Sequence, residues 1–327
     1  MASGEDTLIA RYFRPVATDP GAFGLTDDAA VLKASGDDLV VTTDAIVEGV
    51  HFLPDDPPDT IARKALRVNL SDLAAKGATP KGFVMTLALR EAGDAWLQPF
   101  ARGLGEDARL FGCALLGGDT VSTPGPVMIS ITAFGLTPPG KMVRRHGARA
   151  GDRIVVTGTI GDAALGLAIL QGGAVAAALG QDVAGREMLV QRYRVPQPRV
   201  GLAKIIGDFA SAAMDVSDGL AGDLAKLCAA SGVAAVIDAQ SVPLSPAAAV
   251  LQAGGSVGFE AIVAGGDDYE ILCTIPENRF AAFAQAARLA GMPVTSIGTV
   301  MAGAAAPRFL DAKGGEIRLE RLSYSHF

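Results

Sequence analysis

The sequence is poor in the residues that build disulfide, zinc and histidine-based metal sites. Among 327 residues there are 3 cysteines and 3 histidines, and Cys113, Cys228 and Cys273 are far apart in apolar surroundings. This spacing predicts reduced thiols in the core, and it argues against a disulfide framework or a zinc site. A reducing cytoplasm is therefore the expected location.

Basic residues and long apolar runs are also scarce. Lys and Arg total 28 against 35 Asp and Glu, which gives a net charge of −7. Nucleic acids and anionic membranes select basic surfaces, so neither is an expected partner. The longest apolar stretch, residues 163–179, is interrupted by Gln171, Gly172 and Gly173, and we expect a buried Ala-rich helix there. The first residues lack a basic segment followed by an apolar run, so no secretory signal is expected.

The familiar nucleotide motifs are missing or misplaced. No Gly-x-x-x-x-Gly-Lys-Ser/Thr occurs, which excludes a P-loop. Gly103, Gly105 and Ala108 match the loose dinucleotide pattern, but they lie inside a predicted helix instead of between a strand and a helix. Dinucleotide binding is therefore not expected.

Hydrophobic periodicity predicts two α/β domains. The pattern indicates strands at 38–43, 82–90 and 127–136, with helices at 59–76 and near 95–111. Residues 138–151 are rich in Pro and Gly and are typical of a linker. Beyond them, a strand at 153–157 leads into a helix from about residue 161. The predicted fold is α/β (α+β), with an N-terminal sheet domain at 1–138 and a C-terminal α/β domain at 148–327.

What stands out is a set of aspartates beside glycine, serine or threonine at the ends of apolar segments. Carboxylate and hydroxyl oxygens are the ligands that Mg²⁺ prefers, and each ion usually takes one or two carboxylates plus waters and substrate phosphates. Several clusters of this kind fit several ions on a polyphosphate. The clusters contain Asp27 and Asp28, Asp44, Asp72, Asp119, Asp215 and Asp218, and Asp267 and Asp268.

Each cluster also has a purely structural interpretation. Ser217 or Asp218 would serve as the cap of a helix that continues through Leu220, and Gly-Gly-Asp would serve as a plain turn. Asp72 is harder to explain in this way, because it lies in the middle of a predicted helix, where aspartate has poor propensity. Taken together, the six clusters favour a metal site.

These segments resemble the thiamine-monophosphate kinase family over nearly the whole chain. The wider superfamily includes aminoimidazole ribonucleotide synthetase and selenophosphate synthetase, and it shares the groups at Asp44, Gly118-Asp119 and 215–219. His51-Phe52, residues 69–75 and the ending Tyr324-Ser325-His326-Phe327 favour the kinase. The remaining matches are Gly4-Glu5, residues 26–30, Thr42-Thr43, Gly49-Val50 and residues 265–270.

The resemblance implies that ATP phosphorylates thiamine monophosphate to thiamine diphosphate, by direct in-line transfer with several Mg²⁺ ions and no dedicated catalytic base. It also implies a homodimer in which the N-terminal domains, which bind ATP and Mg²⁺, pair their sheets into a shared barrel. The implied magnesium ligands are Asp28, Thr42, Thr43, Asp44, Asp72, Asp119, Asp215 and Asp218. Gly118, Asp119, Arg145 and Ser217 would contact ATP, and His51, Asp267 and Arg321 would contact the substrate.

Two positions depart from the family pattern. The family usually has glutamate where this chain has Asp267, and an aromatic residue where it has Arg321. We therefore expect weaker substrate affinity with intact phosphoryl transfer. Without the resemblance, a solvated Arg145 fits the sequence equally well. A lone histidine such as His51 is more typically satisfied by local hydrogen bonds than used as a ligand.

Two other functions compete with the kinase. A synthetase of the same superfamily is one, although a selenophosphate synthetase is expected to carry a reactive Cys and a Lys near its N-terminus, and neither occurs in the first 30 residues. The other is a catalytically idle module that binds a nucleotide or a divalent ion. ADP release that depends on a second substrate distinguishes the enzyme from the module.

Overall fold

Two open sheets organise the chain in this computed structural model, which describes residues 23, 26–27, 30–33, 36–91 and 93–323. The first sheet has the order β1-β2-β5-β3-β4, and its pairs are antiparallel except for the parallel β3–β4 pair. Its strands are β1 (Ala30–Lys33), β2 (Asp38–Val47), β3 (Thr79–Leu89), β4 (Ala114–Ser122) and β5 (Met128–Thr137). Helices α1 (Pro58–Ala75) and α2 (Asp94–Leu110) belong to the same half, and they pack on each other.

The second sheet has the order β12-β11-β8-β10-β6-β9-β7. Its strands are β6 (Arg153–Thr157), β7 (Ala212–Val216), β8 (Ala234–Asp238), β9 (Glu270–Ile275), β10 (Val294–Met301), β11 (Arg308–Leu310) and β12 (Glu316–Ile317). Its helices are α3 (Asp162–Leu170), α4 (Ala174–Ala178), α5 (Val183–Arg194), α6 (Ala203–Phe209), α7 (Leu220–Ser231), α8 (Pro246–Ala253), α9 (Phe259–Val263) and α10 (Glu277–Leu289). The predicted mixed α/β fold with two sheet-containing halves is confirmed. Neither sheet closes into a barrel among the described strands, so the shared dimer barrel stays a prediction.

Helix α1 lies between the two sheets. Pro58 occupies its first position, where the missing N–H costs nothing, and Gly77 with a φ of 73° turns the chain after its end. Almost every residue from Ile61 to Ala75 is buried, because the helix contacts β2, β3 and β5 on one side and β7 and β9 on the other. Each fully buried leucine, such as Leu70, contributes about 1.5–3 kcal/mol. The helix therefore joins the two halves, and it contributes residues to the apolar clusters on both of its sides.

Several details differ from the sequence prediction. The Ala-rich stretch 163–179 does not form one buried helix: it divides into α3 and α4, and the residues of α4 are exposed or half-buried. Gly172 and Gly173, with φ values of 79° and 115°, separate the two helices because most side chains disfavour such angles. The prediction also omitted β4. Among the described residues, no helix has the length and apolar character to cross a membrane.

The expectation for the cysteines is confirmed. Cys113, Cys228 and Cys273 are all buried free cysteines. Burial raises the pKa of the three thiols to about 11, 11 and 12 respectively, so they stay protonated at neutral pH. Buried, protonated thiols behave as small apolar core residues.

Candidate active site at the junction of the two sheets

Strand β2 directs two of the predicted ligands towards helix α1. Alternate residues of a strand share a face, and Thr42 and Asp44 lie on the side of β2 that faces the helix. The Thr42 hydroxyl donates a hydrogen bond to the Asp72 carboxylate, and the Asp44 backbone N–H donates to Asn69 Oδ1 at 3.1 Å. Because α1 ends at Ala75, Asp72 lies in the last turn and not in the middle of the helix. The structure therefore brings Thr42, Asp44 and Asp72 together.

Thr43 lies on the opposite, exposed face of β2. Its hydroxyl donates to the Ile131 carbonyl at 3.1 Å and accepts a hydrogen bond from Thr132 at 3.0 Å. The Thr43 side chain is thus separated from Asp72 by the strand itself. Its metal role stays a prediction.

The segment between β7 and α7 carries three predicted residues, Asp215, Ser217 and Asp218. Neither Ser217 nor Asp218 caps α7, because the N-cap is Gly219 with a φ of 114° and no side-chain cap bond. Instead the buried Asp223 carboxylate accepts from the backbone N–H groups of Ser217 and Asp218, both at 3.0 Å. This arrangement fixes the loop from inside the helix and leaves the Ser217 and Asp218 side chains at its partly exposed surface.

Lys226 stabilises this loop through ion pairs. Its ammonium group contacts the Asp218 carboxylate and lies 3.2 Å from Asp223 Oδ1. Burial lowers the pKa of Lys226, but the carboxylates of Asp223 and Asp218 outweigh it, so the pKa lies above the ordinary value. Burial also raises the pKa of Asp223 to about 7 despite its lysine partner.

The loop 265–269 packs directly against that segment. The Asp267 N–H donates to the Ser217 carbonyl and the Tyr269 N–H to the Val216 carbonyl, both at 2.8 Å. Asp267 and Tyr269 have positive φ values of 70° and 50°, which cost free energy in residues other than glycine. The buried Asp268 carboxylate holds this conformation by accepting from the Gly161 N–H at 2.9 and 3.0 Å. The predicted Gly-Gly-Asp turn is therefore a strained, multiply anchored loop.

Tyr269 connects the loop 265–269 with helix α1. Its ring belongs to the apolar cluster of the first half, and its carbonyl accepts a 3.4 Å hydrogen bond from Ser71 of α1. Burial raises the pKa of the Tyr269 hydroxyl well above its ordinary value, and the carboxylates of Asp267, Asp44, Asp215 and Asp218 raise it further. Tyr269 thus links the end of β7, through its backbone N–H to the Val216 carbonyl, with helix α1, through its own carbonyl.

Arg145 and Lys76 both contact Asp27. The Asp27 carboxylate accepts from the Arg145 backbone N–H at 2.8 Å and lies 2.7 Å from the ammonium group of buried Lys76. The Lys76 ammonium also donates to the Ala213 carbonyl at 2.9 Å, beside Asp215. Asp28, a predicted metal ligand, lies outside the described residues.

Gly118 and Asp119 lie on the edge strand β4. The strand pairing aligns Gly118 with Met85, Met85 with Ile131, and Ile131 with Asp44, so these residues form one row across the sheet. Three strand spacings separate Gly118 from Asp44, which is roughly 14 Å. Gly118 has a φ of 152°, and a Cβ there would lie 1.8 Å from the Met85 carbonyl oxygen, so only glycine fits.

The predicted substrate residues fall into two places. His51 Nδ1 accepts from the Val47 N–H at 3.1 Å, and Lys64 of α1 bridges the His51 carbonyl and the Asp267 carboxylate, at 2.8 Å to each. Arg321 is 64% exposed, with Nε 3.9 Å from Glu260. The following residues approach α7 closely, since a Cβ on Gly222 would lie 2.5 Å from Ser323 Cβ. His51 and Asp267 are therefore brought together, whereas Arg321 pairs with a surface glutamate.

The donor chemistry fits Mg²⁺. The candidate ligands are hard oxygen donors, and Asp44 and Asp119 are exposed residues. In the part of the chain that the structure describes, no three His, Cys, Asp or Glu side chains are close enough to hold one metal ion. Magnesium tolerates this arrangement, because it usually takes one or two carboxylates and completes its shell with waters and substrate phosphates.

Sequence reasoning missed Lys64, Tyr269, Asp223 and Lys226. Lys64 carried a recognisable signal: it follows Ile61 by three positions and so lies on the apolar face of the predicted helix, where a charged residue needs a partner. Asp223 and Lys226 look like ordinary polar residues of a surface helix. Their roles depend on the loop that folds over them.

Comparison with known proteins agrees with this architecture. Residues 26–137 match the family model for the N-terminal domain of AIR synthase related proteins, and residues 149–307 match the model for the C-terminal domain. The thiamine-monophosphate kinase of Caulobacter vibrioides is 44% identical over 324 residues, covering 97% of this chain and 89% of the relative.

Solved structures give the same assignment. The thiamine-monophosphate kinase of Stenotrophomonas maltophilia K279a is 38% identical with a TM-score of 0.76, covering 94% of this chain and 97% of that chain. AaThiL complexed with AMPPCP and TMP is 31% identical with a TM-score of 0.80 and the same coverage. Identity at this level over nearly the full length goes beyond a shared fold. The chain is a member of the thiamine-monophosphate kinase family, within the AIR synthase related proteins.

Proposed function

We propose that this protein transfers the terminal phosphoryl group of ATP to thiamine monophosphate and forms thiamine diphosphate. The hydrogen bonds at the junction carry the proposal. Thr42 of β2 contacts Asp72 of α1, the neighbouring Ser71 donates to the Tyr269 carbonyl, and the loop 265–269 is bonded to the segment that carries Ser217, so hard oxygen donors of both halves lie at one junction and suit a metal-bound polyphosphate. Family membership supports the choice of substrate, since relatives carry this activity in their names and a solved relative is complexed with AMPPCP and TMP.

In-line transfer suits the residues present. The acceptor is a phosphate oxygen, which is already a nucleophile at neutral pH, so no side chain has to remove a proton. Bound Mg²⁺ supplies positive charge that offsets the repulsion between the two phosphate groups. Arg145, Ser217 and Gly118 orient ATP, while His51 and Asp267 orient the acceptor. The ions are held by Asp44, Asp72, Asp119, Asp215 and Asp218, together with Thr42, Thr43 and Asp28.

A labelling experiment tests the reaction. With γ-labelled ATP and Mg²⁺, we expect label to appear in thiamine diphosphate without a labelled protein beforehand, because the described Gly-Asp motifs are flanked by small and acidic residues and lack an adjacent histidine. A panel of other phosphorylated acceptors serves as the control. Label on the protein before product, ADP release without an acceptor, or preference for another acceptor would refute the proposal.

Arg321 tests the expected loss of substrate affinity. Arg321→Trp should lower the KM for thiamine monophosphate about three- to tenfold with little change in kcat, because a ring stacks on the substrate where a guanidinium bound to Glu260 does not. Arg318→Trp, an exposed arginine on the same segment, is the control. An unchanged KM in the Arg321→Trp variant would show that the absence of a stacking ring at this position does not weaken substrate binding.

We also place a homodimer in the proposal. Every residue of β4 is exposed, including Leu115, Leu116 and Val121 at 51%, 63% and 42%. Thr43 and Ala45 on one face of β2, which lies three positions from β4 in the sheet, are exposed as well. An uncovered sheet with an exposed apolar edge strand is a surface that commonly pairs with a second copy.

Light scattering at micromolar concentration should therefore give the mass of a dimer. Leu116→Glu should shift the mass towards the monomer, because it places a charge on the pairing edge. Leu289→Glu is the matched control, since Leu289 is 78% exposed on α10 in the other half and should leave the dimer intact. A monomer mass for the unmodified chain would contradict this part of the proposal.

The proposal also gives a role to each of the two domains. Residues 1–138 form the domain that binds ATP and Mg²⁺ and dimerises, and residues 148–327 form the second domain. The enzyme works in the cytoplasm, where ATP is abundant and its three thiols stay reduced.

A further inference from the structure

Lys64 is a buried cation at the substrate side of the junction. Its residue is 1% exposed, and its ammonium group lies 2.8 Å from the Asp267 carboxylate and 2.8 Å from the His51 carbonyl oxygen. The Tyr193 ring centroid lies 3.9 Å from the same nitrogen. Burial of a lysine costs free energy unless its charge is paired, and here a carboxylate, a carbonyl and an aromatic face supply that pairing.

These contacts occupy the ammonium group. A lysine has three N–H donors: two are used in the hydrogen bonds to Asp267 and His51, and the aromatic face covers a further side of the charge. Lys64 is therefore arranged to hold other residues and not to bind a ligand directly. The residues that it holds are the two on which the proposed acceptor site depends.

Asp267 needs such a partner because of its backbone. Its φ of 70° places it in the left-handed region, and its N–H is fixed by the Ser217 carbonyl, so the loop determines where the side chain begins. The carboxylate at the end of this short side chain is 24% exposed and is directed by the ion pair with Lys64. Helix α1 thereby sets the position of an acid that belongs to the other half of the molecule.

We infer that Lys64 is a positioning residue for the acceptor site, which holds the Asp267 carboxylate and the His51 turn in the geometry that recognises the cationic, phosphorylated acceptor. This inference rests on the proposed function. Lys64 acts through Asp267, so its loss should affect binding of the acceptor and spare that of ATP. The loss of positioning outweighs any gain in attraction between an unpaired carboxylate and a cationic substrate.

The test compares kinetics for both substrates in the full-length chain. Lys64→Met should raise the KM for thiamine monophosphate about tenfold or more and change the KM for ATP less than twofold. Lys64→Arg should recover part of the loss, because a guanidinium can donate to both oxygens. Arg63→Met is the matched control: Arg63 lies next to Lys64 on α1, its loss breaks ion pairs to Glu106 and Asp107 of α2, and it should leave the acceptor KM unchanged.

A double-mutant cycle separates positioning from general damage. If Lys64 acts through Asp267, the variant with both Lys64→Met and Asp267→Asn should show an acceptor KM no higher than that of Asp267→Asn alone. The inference is wrong if the two substitutions multiply each other's effect on the acceptor KM. It is also wrong if Lys64→Met raises the KM for ATP as much as the KM for thiamine monophosphate. An unchanged acceptor KM in Asp267→Asn would overturn the inference even if Lys64→Met failed to fold.

The two levels of proposal fail differently. If the unmodified chain does not phosphorylate thiamine monophosphate, the proposed function is wrong. If it does so and Lys64→Met keeps the acceptor KM, the function stands and the role of Lys64 is wrong.

Discussion

Asp44→Asn and Asp119→Asn should each lower the rate of thiamine diphosphate formation by about a thousandfold or more. Both residues are exposed, so neither contributes to core packing. Asparagine keeps the shape and the acceptor oxygen that Asp119 offers to the Thr120 N–H at 2.8 Å, and it removes the negative charge that a Mg²⁺ ligand needs. The loss should therefore appear in catalysis and not in the melting temperature.

The measurement is a product assay over a range of Mg²⁺ concentrations, with thermal unfolding of each variant alongside. Asp37→Asn is a suitable control, because Asp37 is exposed just before β2 and outside the proposed site. Turnover within a factor of a few of the unmodified enzyme would remove Asp44 or Asp119 from the metal site.

Glu270→Ala should destabilise the protein by about 3–5 kcal/mol. The Glu270 carboxylate is fully buried at the start of β9 and accepts hydrogen bonds from Arg192, Arg199 and Thr157 at 2.6–2.7 Å. Its removal leaves the mostly buried guanidinium groups of Arg192 and Arg199 without the negative charge of Glu270. Since Arg192 also donates to the Asp268 carbonyl at 3.3 Å, the loop 265–269 should loosen as well.

Chemical unfolding monitored by circular dichroism gives the comparison. The control is Glu277→Ala, which also breaks a glutamate–arginine pair, but an exposed one with Arg153, and it should leave the unfolding midpoint unchanged. Equal midpoints for both variants would show that the buried network around Glu270 does not stabilise the fold.

Local patterns in the sequence predicted much of the fold. The predicted helix at 59–76 matches α1 within one residue at each end, because apolar residues repeat at helical spacing and Gly77 ends them. Strand β4 had no such signal. All of its residues are exposed, so apolar and polar residues do not alternate, and two glycines lie at its centre.

The site was predictable by residue type but not by arrangement. The aspartates beside glycine and serine were visible in the sequence, and the structure places Asp72 against Thr42 and the Asp267 loop against the Ser217 segment. The ion pair between Lys64 and Asp267 joins residues 203 positions apart, and no local pattern specifies such a contact. The separation of Thr43 from Thr42 follows from strand alternation, which the prediction did not apply to the ligand set.

The burial of helix α1 restricts how substrates reach the site. Moving the two sheets apart would uncover Ala74 and Ala75, which pack with apolar residues of the second half, and would separate Lys64 from Asp267. A wide hinge opening therefore costs more free energy here than in enzymes whose domains meet through a hydrated, polar cleft. We therefore expect nucleotide and product to enter and leave at the solvent-exposed edge of the junction. Their exchange would then depend on movements of surface loops, while α1 and the two sheets keep their relative positions.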